Sequence, residues 1–403
     1  MSAHHPTIPN AADVMLPSGS LFRKLPAIGA VLGVLGIGAS LGMHGEHGAN
    51  LWAYLIAVVF FLSIGLGATF FVVIFYLTRG GWHIAIRRLA EAVMASTPVM
   101  ALLLVPIIAL GFDEIYTWAK PTALDGDPVL QAKSAYLNKP FFIARYVVYA
   151  VIFGGVASYF FRKSRQQDAS GDPGITRTLQ AVAAPALALM ALSATFFSFD
   201  WLMSTDYHWF STMYGVIFFA GGFMGNFAVL AILTLMLRKH MGGVVTEHHL
   251  HGTGKMMWGI TIFWAYTSFS QFMLIWYANI PEETLWYEHR MHHGWEWWTL
   301  VLFVGHFLLP MFGMMSRHVK KNPTALLLGS FWLLAMHYVD TFWQLKPNIH
   351  HGHGEPTIGL FEIASLVGVG GIFLAVVSYF LGGAPLVPVK DPRLSESLSY
   401  EDV

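Results

Sequence analysis

The sequence contains no cysteine among its 403 residues. This absence excludes disulfides, thiolate ligation of iron–sulfur clusters, covalent haem attachment and thiol nucleophiles within the chain. Charged residues are also scarce at 11%, whereas 55% of the residues are hydrophobic. Soluble domains carry about 25% charged residues. The composition therefore excludes an ordinary soluble domain and predicts a membrane protein that crosses the bilayer several times.

Ten apolar stretches reach the length of about 20 residues that a transmembrane helix needs. They are 25–43, 51–77, 85–111, 141–161, 177–199, 211–237, 256–278, 296–316, 324–345 and 360–382. Continuous helices are expected because lipid cannot satisfy open backbone groups. We therefore predict an all-α integral membrane protein with a polar N-terminal segment (1–24) that lacks a cleavable signal, a ten-helix domain (25–382) and a C-terminal tail (383–403).

Basic residues are concentrated on one side of the predicted spans. Most Lys and Arg residues lie before span 1 or after spans 2, 4, 6, 8 and 10. The positive-inside rule places these ends, and with them both termini, in the cytoplasm. The opposite connections carry acids, aromatic residues and histidines instead.

A weak internal repeat relates the two halves of the chain. Residues 60–67 of span 2 resemble residues 218–225 of span 6, and both stretches are rich in Phe and Gly. Asp200 near the end of span 5 corresponds to Asp340 near the end of span 9, since each precedes a tryptophan by one to three residues. The repeat predicts two four-helix bundles, spans 2–5 and 6–9, with spans 1 and 10 at the periphery.

Five ionisable side chains inside the predicted spans are candidates for function: Glu91, Arg145, His306, His337 and Asp340. A charged group at mid-span is unfavourable by roughly 2.5–3.5 kcal/mol, so such residues usually pair, carry protons or touch a polar ligand. Glu91 follows Arg87 by four residues, which predicts an ion pair at the membrane interface. The alternative for Glu91 is an entry point for protons.

Arg145 lies one turn inside span 4, on the side that the basic residues avoid. Asp113 and Glu114 close span 3 and Asp200 closes span 5 at a similar depth, so a helical bundle would bring these four residues together. One interpretation is a structural ion pair. The other is a polar pocket that binds a quinol head group and accepts its protons.

His337 and Asp340 are one turn apart and share a helical face. A carboxylate beside an imidazole is a plausible proton relay, to which His306 and the amide of Gln271 can contribute. Packed core histidines are the structural alternative. A haem between His306 and His337 is less favoured because no span offers the usual pair of histidines.

Two further features are interpreted structurally. The histidine clusters 248–251, 289–293 and 350–353 have glycine-rich surroundings typical of solvated loops, so we predict no metal site. The Gly29/Gly33 and Gly38/Gly42 spacings in span 1 are typical of small-residue helix contacts and predict docking on another subunit.

Three motifs, residues 196–215, 261–284 and 338–343, closely resemble ActF-type, NrfD-like (polysulfide-reductase-like) membrane subunits of alternative complex III. This family of bacterial complexes oxidises quinol and reduces cytochrome c. The resemblance extends over spans 1–10 and implies a ten-helix fold with two four-helix bundles in the bacterial inner membrane. It also implies a sister NrfD-like subunit, a peripheral iron–sulfur subunit, haem c subunits and a terminal oxidase as partners.

The resemblance implies that the complex oxidises menaquinol or ubiquinol and that this subunit contributes to quinol binding, to transmembrane proton transfer or to both. It also implies that all iron–sulfur and haem c groups are held by partner subunits. It implies no covalently bound cofactor here. Two alternatives are a structural anchor for the peripheral subunits and a secondary transporter. Transporters break helices at matching positions of their halves. Pro98 and Pro106 interrupt span 3, whereas span 7 has no proline, which argues against a transporter.

Overall fold

A computed structural model describes residues 8–43, 45–120, 122–349 and 354–402. Every regular element of this described part is a helix, which confirms the predicted all-α class. Ten long helices follow one another: α1 Leu25–Gly42, α2 Ala49–Leu77, α3 Ile84–Leu110, α4 Lys139–Ser170, α5 Pro173–Trp201, α6 Tyr214–Leu237, α7 Glu247–Ala278, α8 Trp295–Gly313, α9 Pro323–Leu345 and α10 Leu360–Gly382.

Within those residues, nine helices are long and apolar enough to cross a membrane by length and composition. The helix outside this set is α7, although it has 32 residues. Histidines at its start and the Thr, Ser and Gln residues along it lower its mean hydropathy. The nine helices are compatible with a multi-pass membrane protein, and the tenth span remains a prediction.

Two of the long helices are irregular. Helix α3 consists of the pieces Ile84–Met94, Thr97–Leu102 and Val105–Leu110. Pro98 and Pro106 lie in the first turns of the second and third pieces, where their missing N–H groups are tolerated. Helix α8 contains a π-helical segment, Leu302–Leu308, a form that is rare and often found at functional sites.

Helices α2 and α6 form the centre of the molecule. In each of them, 83% of an 18-residue apolar stretch is buried. Their backbones touch, because a Cβ atom on Gly67 would lie 2.2 Å from the Gly222 carbonyl oxygen. A Cβ on Gly222 would in turn lie 2.4 Å from the Ser63 carbonyl oxygen. These positions fall in the two similar segments 60–67 and 218–225, so the repeat segments pack against each other.

Helices α1 and α10 pack along each other and against α2. A Cβ on Gly29 would lie 2.5 Å from the Gly371 carbonyl oxygen, so this face of α1 is closed by α10. The prediction that the Gly29/Gly33 face docks on another subunit is therefore wrong. The face containing Gly38 and Gly42 has open space around it.

The C-terminal tail crosses the end of the molecule at which α3, α5 and α7 begin, which we call the basic end. Its short helix Leu394–Leu398 places Ser397 within hydrogen-bond distance of His249 (3.1 Å), and Asp402 pairs with Lys255 at 2.6 Å and His251 at 2.7 Å. The prediction of a solvated histidine loop at 248–251 is wrong, because this stretch starts α7 beneath the tail. His350, His351 and His353 lie outside the described residues.

Candidate functional site

The ionisable side chains predicted within the spans fall into three separate groups. One surrounds Glu91 at the basic end, the second joins α4 to α5 at the opposite end, and the third lies among α6, α7, α8 and α9 around Asp340. Each group can be judged by whether its charges are already neutralised, since a buried charge without a partner is strongly unfavourable.

Glu91 lies in a fully buried ion-pair network. Arg87 Nε donates to Glu91 Oε1 at 3.0 Å, and Arg88 Nη1 donates to Oε2 at 2.5 Å. The Ser164 hydroxyl donates to Oε1 at 2.7 Å, and Arg87 also binds Asp391 of the tail at 2.7 Å. The structure therefore contains the Arg87–Glu91 pair that the spacing predicted. Both carboxylate oxygens of Glu91 are occupied, and they fasten α3, α4 and the tail together.

Arg145 and Asp200 form a two-pronged ion pair between α4 and α5. Arg145 Nε donates to Asp200 Oδ2 at 2.7 Å, and Nη2 donates to Oδ1 at 3.0 Å. The Tyr149 hydroxyl donates to Oδ2 at 2.7 Å, while Arg145 Nη1 binds the Tyr136 carbonyl oxygen at 2.9 Å. The Arg145 guanidinium also stacks on the Tyr136 ring, 3.8 Å from its centroid. Both Asp200 oxygens are thus occupied by partners within the chain.

The other two acids predicted for this pocket lie apart from the Arg145–Asp200 pair. Asp113 is exposed and pairs with Lys139 at 3.6 Å. Glu114 is exposed and lies against Gly48, where its Cβ would be 3.1 Å from a Cβ added to the glycine. Among the described residues, neither acid forms an ion pair with Arg145. The predicted four-residue pocket is therefore assembled only as the Arg145–Asp200 pair.

A cavity of about 530 Å³ lies between α6, α7, α8, α9 and the short helix Pro281–Glu288. Its walls are mainly aromatic and aliphatic, with a few polar groups that converge on one region. The wall includes the polar and aromatic residues Tyr214, Trp264, Ser268, Gln271, Trp286, Tyr287, Trp343, Gln344 and Asp340. Ligand pockets in proteins have this size and character, about 300–1,000 Å³ and mostly apolar.

Asp340 is the carboxylate of this cavity and is only 3% exposed. Trp264 Nε1 donates a hydrogen bond to its Oδ2 at 3.1 Å. In the part of the chain that the structure describes, Asp340 forms no ion pair, in contrast to Glu91 and Asp200. A buried carboxylate without a cation is available to exchange a proton or to accept a hydrogen bond from a ligand.

Two amides that line the cavity together with Asp340 have buried oxygens with no hydrogen-bond partner among the described residues. Gln271 donates through Nε2 to the Tyr287 hydroxyl at 3.0 Å, which leaves its Oε1 free. The Oε1 of Gln344 and the hydroxyl of Ser268 are likewise unpartnered. Since unpaired buried acceptors are unfavourable by about 1–3 kcal/mol each, this wall is suited to a ligand that donates hydrogen bonds.

The histidines flank Asp340 on different sides. A Cβ on Gly221 of α6 would lie 2.8 Å from His337 Cε1 and 3.7 Å from Asp340 Oδ2, so the two side chains share the face that the spacing predicted. His337 Nε2 lies 2.8 Å from the Ser63 hydroxyl of α2, and its Nδ1 has no partner. His306, within the π-helical segment, stacks on Trp264 with ring centroids 3.9 Å apart. Four of the five proton-transfer candidates therefore surround one site, and Glu91 lies elsewhere.

Arg290 was not identified from the sequence. It is fully buried above the cavity, where it stacks on Trp286 at 3.4 Å from the ring centroid. Its guanidinium donates to the carbonyl oxygens of Trp343 (3.2 Å) and Gln344 (2.7 Å) at the end of α9, and to Asn348 Oδ1 (2.8 Å). Burial lowers the pKa of Arg290 to about 9. The available signal was an arginine in a connection that otherwise lacks basic residues.

No known protein-family model matches the chain, and no curated protein is significantly similar to it. Among the described residues, no group of three or more His, Asp or Glu side chains could hold a metal ion. The polar groups in the wall of the candidate site belong to a carboxylate, amides, hydroxyls and indole rings.

Proposed function

We propose that the chain is an ActF-type, NrfD-like subunit of a quinol-oxidising complex, and that the Asp340 cavity binds the quinol head group. The observation that carries this proposal is the apolar cavity with one unpaired buried carboxylate and free amide oxygens. All three motifs that resemble the family contribute to its wall. Tyr214 comes from residues 196–215, Trp264 and Gln271 from 261–284, and Asp340 from 338–343.

The chemistry requires two proton acceptors and an electron acceptor. A quinol loses two electrons and two protons when it becomes a quinone. Asp340 is suited to accept the proton of one hydroxyl and to pass it to His337 on the same helical face, after which the carboxylate can accept the proton of the second hydroxyl. The free oxygen of Gln271 or Gln344 orients the quinol by accepting a hydrogen bond. The electrons would pass to iron–sulfur or haem c groups of partner subunits, since this chain has no cysteine to hold them.

The proposal includes the topology implied by the motifs: ten spans in two four-helix bundles, with both termini on the cytoplasmic side of a bacterial inner membrane. The contact between the repeat segments of α2 and α6 supports two related halves. The concentration of Lys and Arg at one end supports the orientation.

The test is isolation of the protein from its native membrane through an N-terminal tag, because the C-terminal tail is packed against the helices. We expect iron–sulfur and haem c subunits to copurify, and the preparation to oxidise quinol and to contain extractable quinone. A chain that purifies alone, without haem absorbance and without quinone, would contradict the proposal.

A structural anchor for the peripheral subunits is the second candidate. Both oxygens of Glu91 and both oxygens of Asp200 already bind partners within the chain, so these two groups have a structural role. An anchor requires the same copurification but predicts that the complex retains its quinol oxidation rate when Asp340 is replaced. A transporter is not proposed, since α3 is broken at two places whereas its repeat counterpart α7 is uninterrupted.

A further inference from the structure

A second large groove, of about 480 Å³, lies at the basic end between α1, α4 and α10. Two arginines face it, Arg23 just before α1 and Arg165 near the end of α4. The other wall residues include Phe161, Tyr379 and Phe380. None of these residues contributes to the Asp340 cavity, so the groove requires a separate explanation.

The positive charge in this groove is not neutralised by the described part of the chain. Arg23 donates from Nε and Nη2 to one carbonyl oxygen, that of Leu16, at 3.1 and 2.9 Å, and forms no ion pair with any residue that the structure describes. Arg165 donates from Nη2 to the Gly383 carbonyl oxygen at 3.1 Å, but its buried Nη1 has no hydrogen-bond partner within the same residues.

The carboxylate that pairs with Arg165 is a weak partner. Asp168 lies 3.9 Å from Arg165 Nη1, whereas it binds Arg88 at 2.6 Å. This distance is beyond hydrogen-bond range, and the charge of Asp168 is shared with a closer guanidinium. The groove therefore has two arginines with an excess of positive charge and a buried N–H group that can donate.

We propose that this groove binds the phosphate of an anionic phospholipid. Guanidinium groups bind phosphate oxygens through paired, charge-assisted hydrogen bonds, and basic pockets between helices on the cytoplasmic side are suited to acidic head groups. Tyr379 is 67% exposed beside the arginines and supplies the aromatic surface typical of the membrane interface. Phe161 and Phe380 in the groove wall provide apolar surface for the acyl chains.

The lipid site does not depend on the proposed quinol function, so an experiment can contradict either proposal without contradicting the other. The experiment uses the full protein, purified in detergent with any subunits that accompany it and exchanged into mixtures of phosphatidylglycerol and phosphatidylcholine. Native mass spectrometry then identifies the retained lipid. We expect one phosphatidylglycerol per chain, with a preference over phosphatidylcholine of about tenfold or more, since each basic residue near the surface contributes about 1 kcal/mol.

The variant R23Q/R165Q should lose this preference, and R23K/R165K should keep part of it because the charge remains. The matched control is R162Q/K163Q, which removes two charges from the same end of α4 outside this groove. Equal loss in R23Q/R165Q and R162Q/K163Q would overturn the proposal in favour of general surface charge.

The wild-type protein alone also decides the question if the double variant fails to fold. Equal retention of the two lipids would overturn the proposal. Displacement of phosphatidylglycerol by millimolar inorganic phosphate would overturn it as well, because the site would then select a soluble anion. Retention of phosphatidylglycerol in excess phosphate supports it.

Discussion

Asp200 and Asp340, two carboxylates that the predicted internal repeat would relate, have opposite surroundings. Asp200 of α5 is 1% exposed and is bound by Arg145 and by the Tyr149 hydroxyl, so both of its oxygens are occupied. Asp340 of α9 is 3% exposed and accepts a hydrogen bond from the indole of Trp264. The two acids are equally buried, but only Asp200 is neutralised by a cation.

The first half of the chain therefore uses its buried acid to hold helices together, whereas the acid of the second half stays available to a ligand. The second half also has a buried arginine, Arg290, but that side chain is used by carbonyl oxygens at the end of α9 rather than by Asp340. Asp340 instead faces a cavity with free amide oxygens. If the proposed repeat is correct, one copy of this acid holds two helices together and the other is available for protons.

The largest effect is expected from removal of the cation in the structural half. Arg145→Met leaves Asp200 buried without its partner, so we expect the free energy of unfolding to fall by about 3–5 kcal/mol. Thermal unfolding of the purified protein in detergent measures this. The double variant R145M/D200L removes both charges and should recover most of the loss. If the double variant is no more stable than R145M, Asp200 is not a paired carboxylate.

Asp340→Asn should change stability little but should lower the rate of quinol oxidation strongly. The amide can still accept the Trp264 hydrogen bond, so stability should change by less than about 1 kcal/mol. Quinol oxidation by the complex should fall about 100-fold, because a positioned proton acceptor contributes about 10²–10⁴-fold. Steady-state quinol oxidation measures the rate. An unchanged rate with intact assembly would make Asp340 as structural as Asp200.

A bulky side chain in the cavity should weaken quinol binding without removing the carboxylate. Ala265→Phe extends from α7 into the cavity, and we expect the KM for quinol to rise about tenfold while kcat changes little. Gly259→Phe is the control, since the space around Gly259 on the same helix is open. Equal effects of the two variants would show that the cavity is not where quinol binds.

The smallest effect is expected at the free amide. Gln271→Leu removes the unpartnered oxygen and should lower kcat/KM about threefold, the size of one ordinary hydrogen bond. Ser270→Ala is the control, because Ser270 lies on the same helix but is partly exposed and outside the cavity, and this variant should leave the rate unchanged. Kinetics of the two variants under identical conditions test this, and equal rates for Gln271→Leu and the wild-type protein would show that the free oxygen does not contact the quinol.

The sequence predicted what depends on local periodicity. Apolar length located the ten long helices, and spacing along one helix predicted the Arg87–Glu91 pair and the shared face of His337 and Asp340. Arg145 had three candidate acids, and only the packing of α5 on α4 selects Asp200, 55 residues away.

The two wrong predictions, at residues 248–251 and at Gly29, and the omission of Arg290 have the same cause, which is contact between residues far apart in the chain. His249 and His251 are buried by a tail about 150 residues later in the chain, and the Gly29 face is closed by α10 from the far end of the sequence. Arg290 binds carbonyl oxygens, which carry no residue-type signal at all. Local spacing does not determine such long-range packing.

Photoaffinity labelling tests the contrast between the two halves most directly. A photoactivatable quinone is bound to the purified complex, illuminated, and the labelled peptides are identified with and without excess quinol. We expect labelled peptides on α7, α8 or α9 near Asp340, and we expect excess quinol to reduce this labelling. The Ala265→Phe variant should be labelled less than the wild-type protein. Labels at Arg145 and Asp200, or only on another subunit, would contradict this expectation.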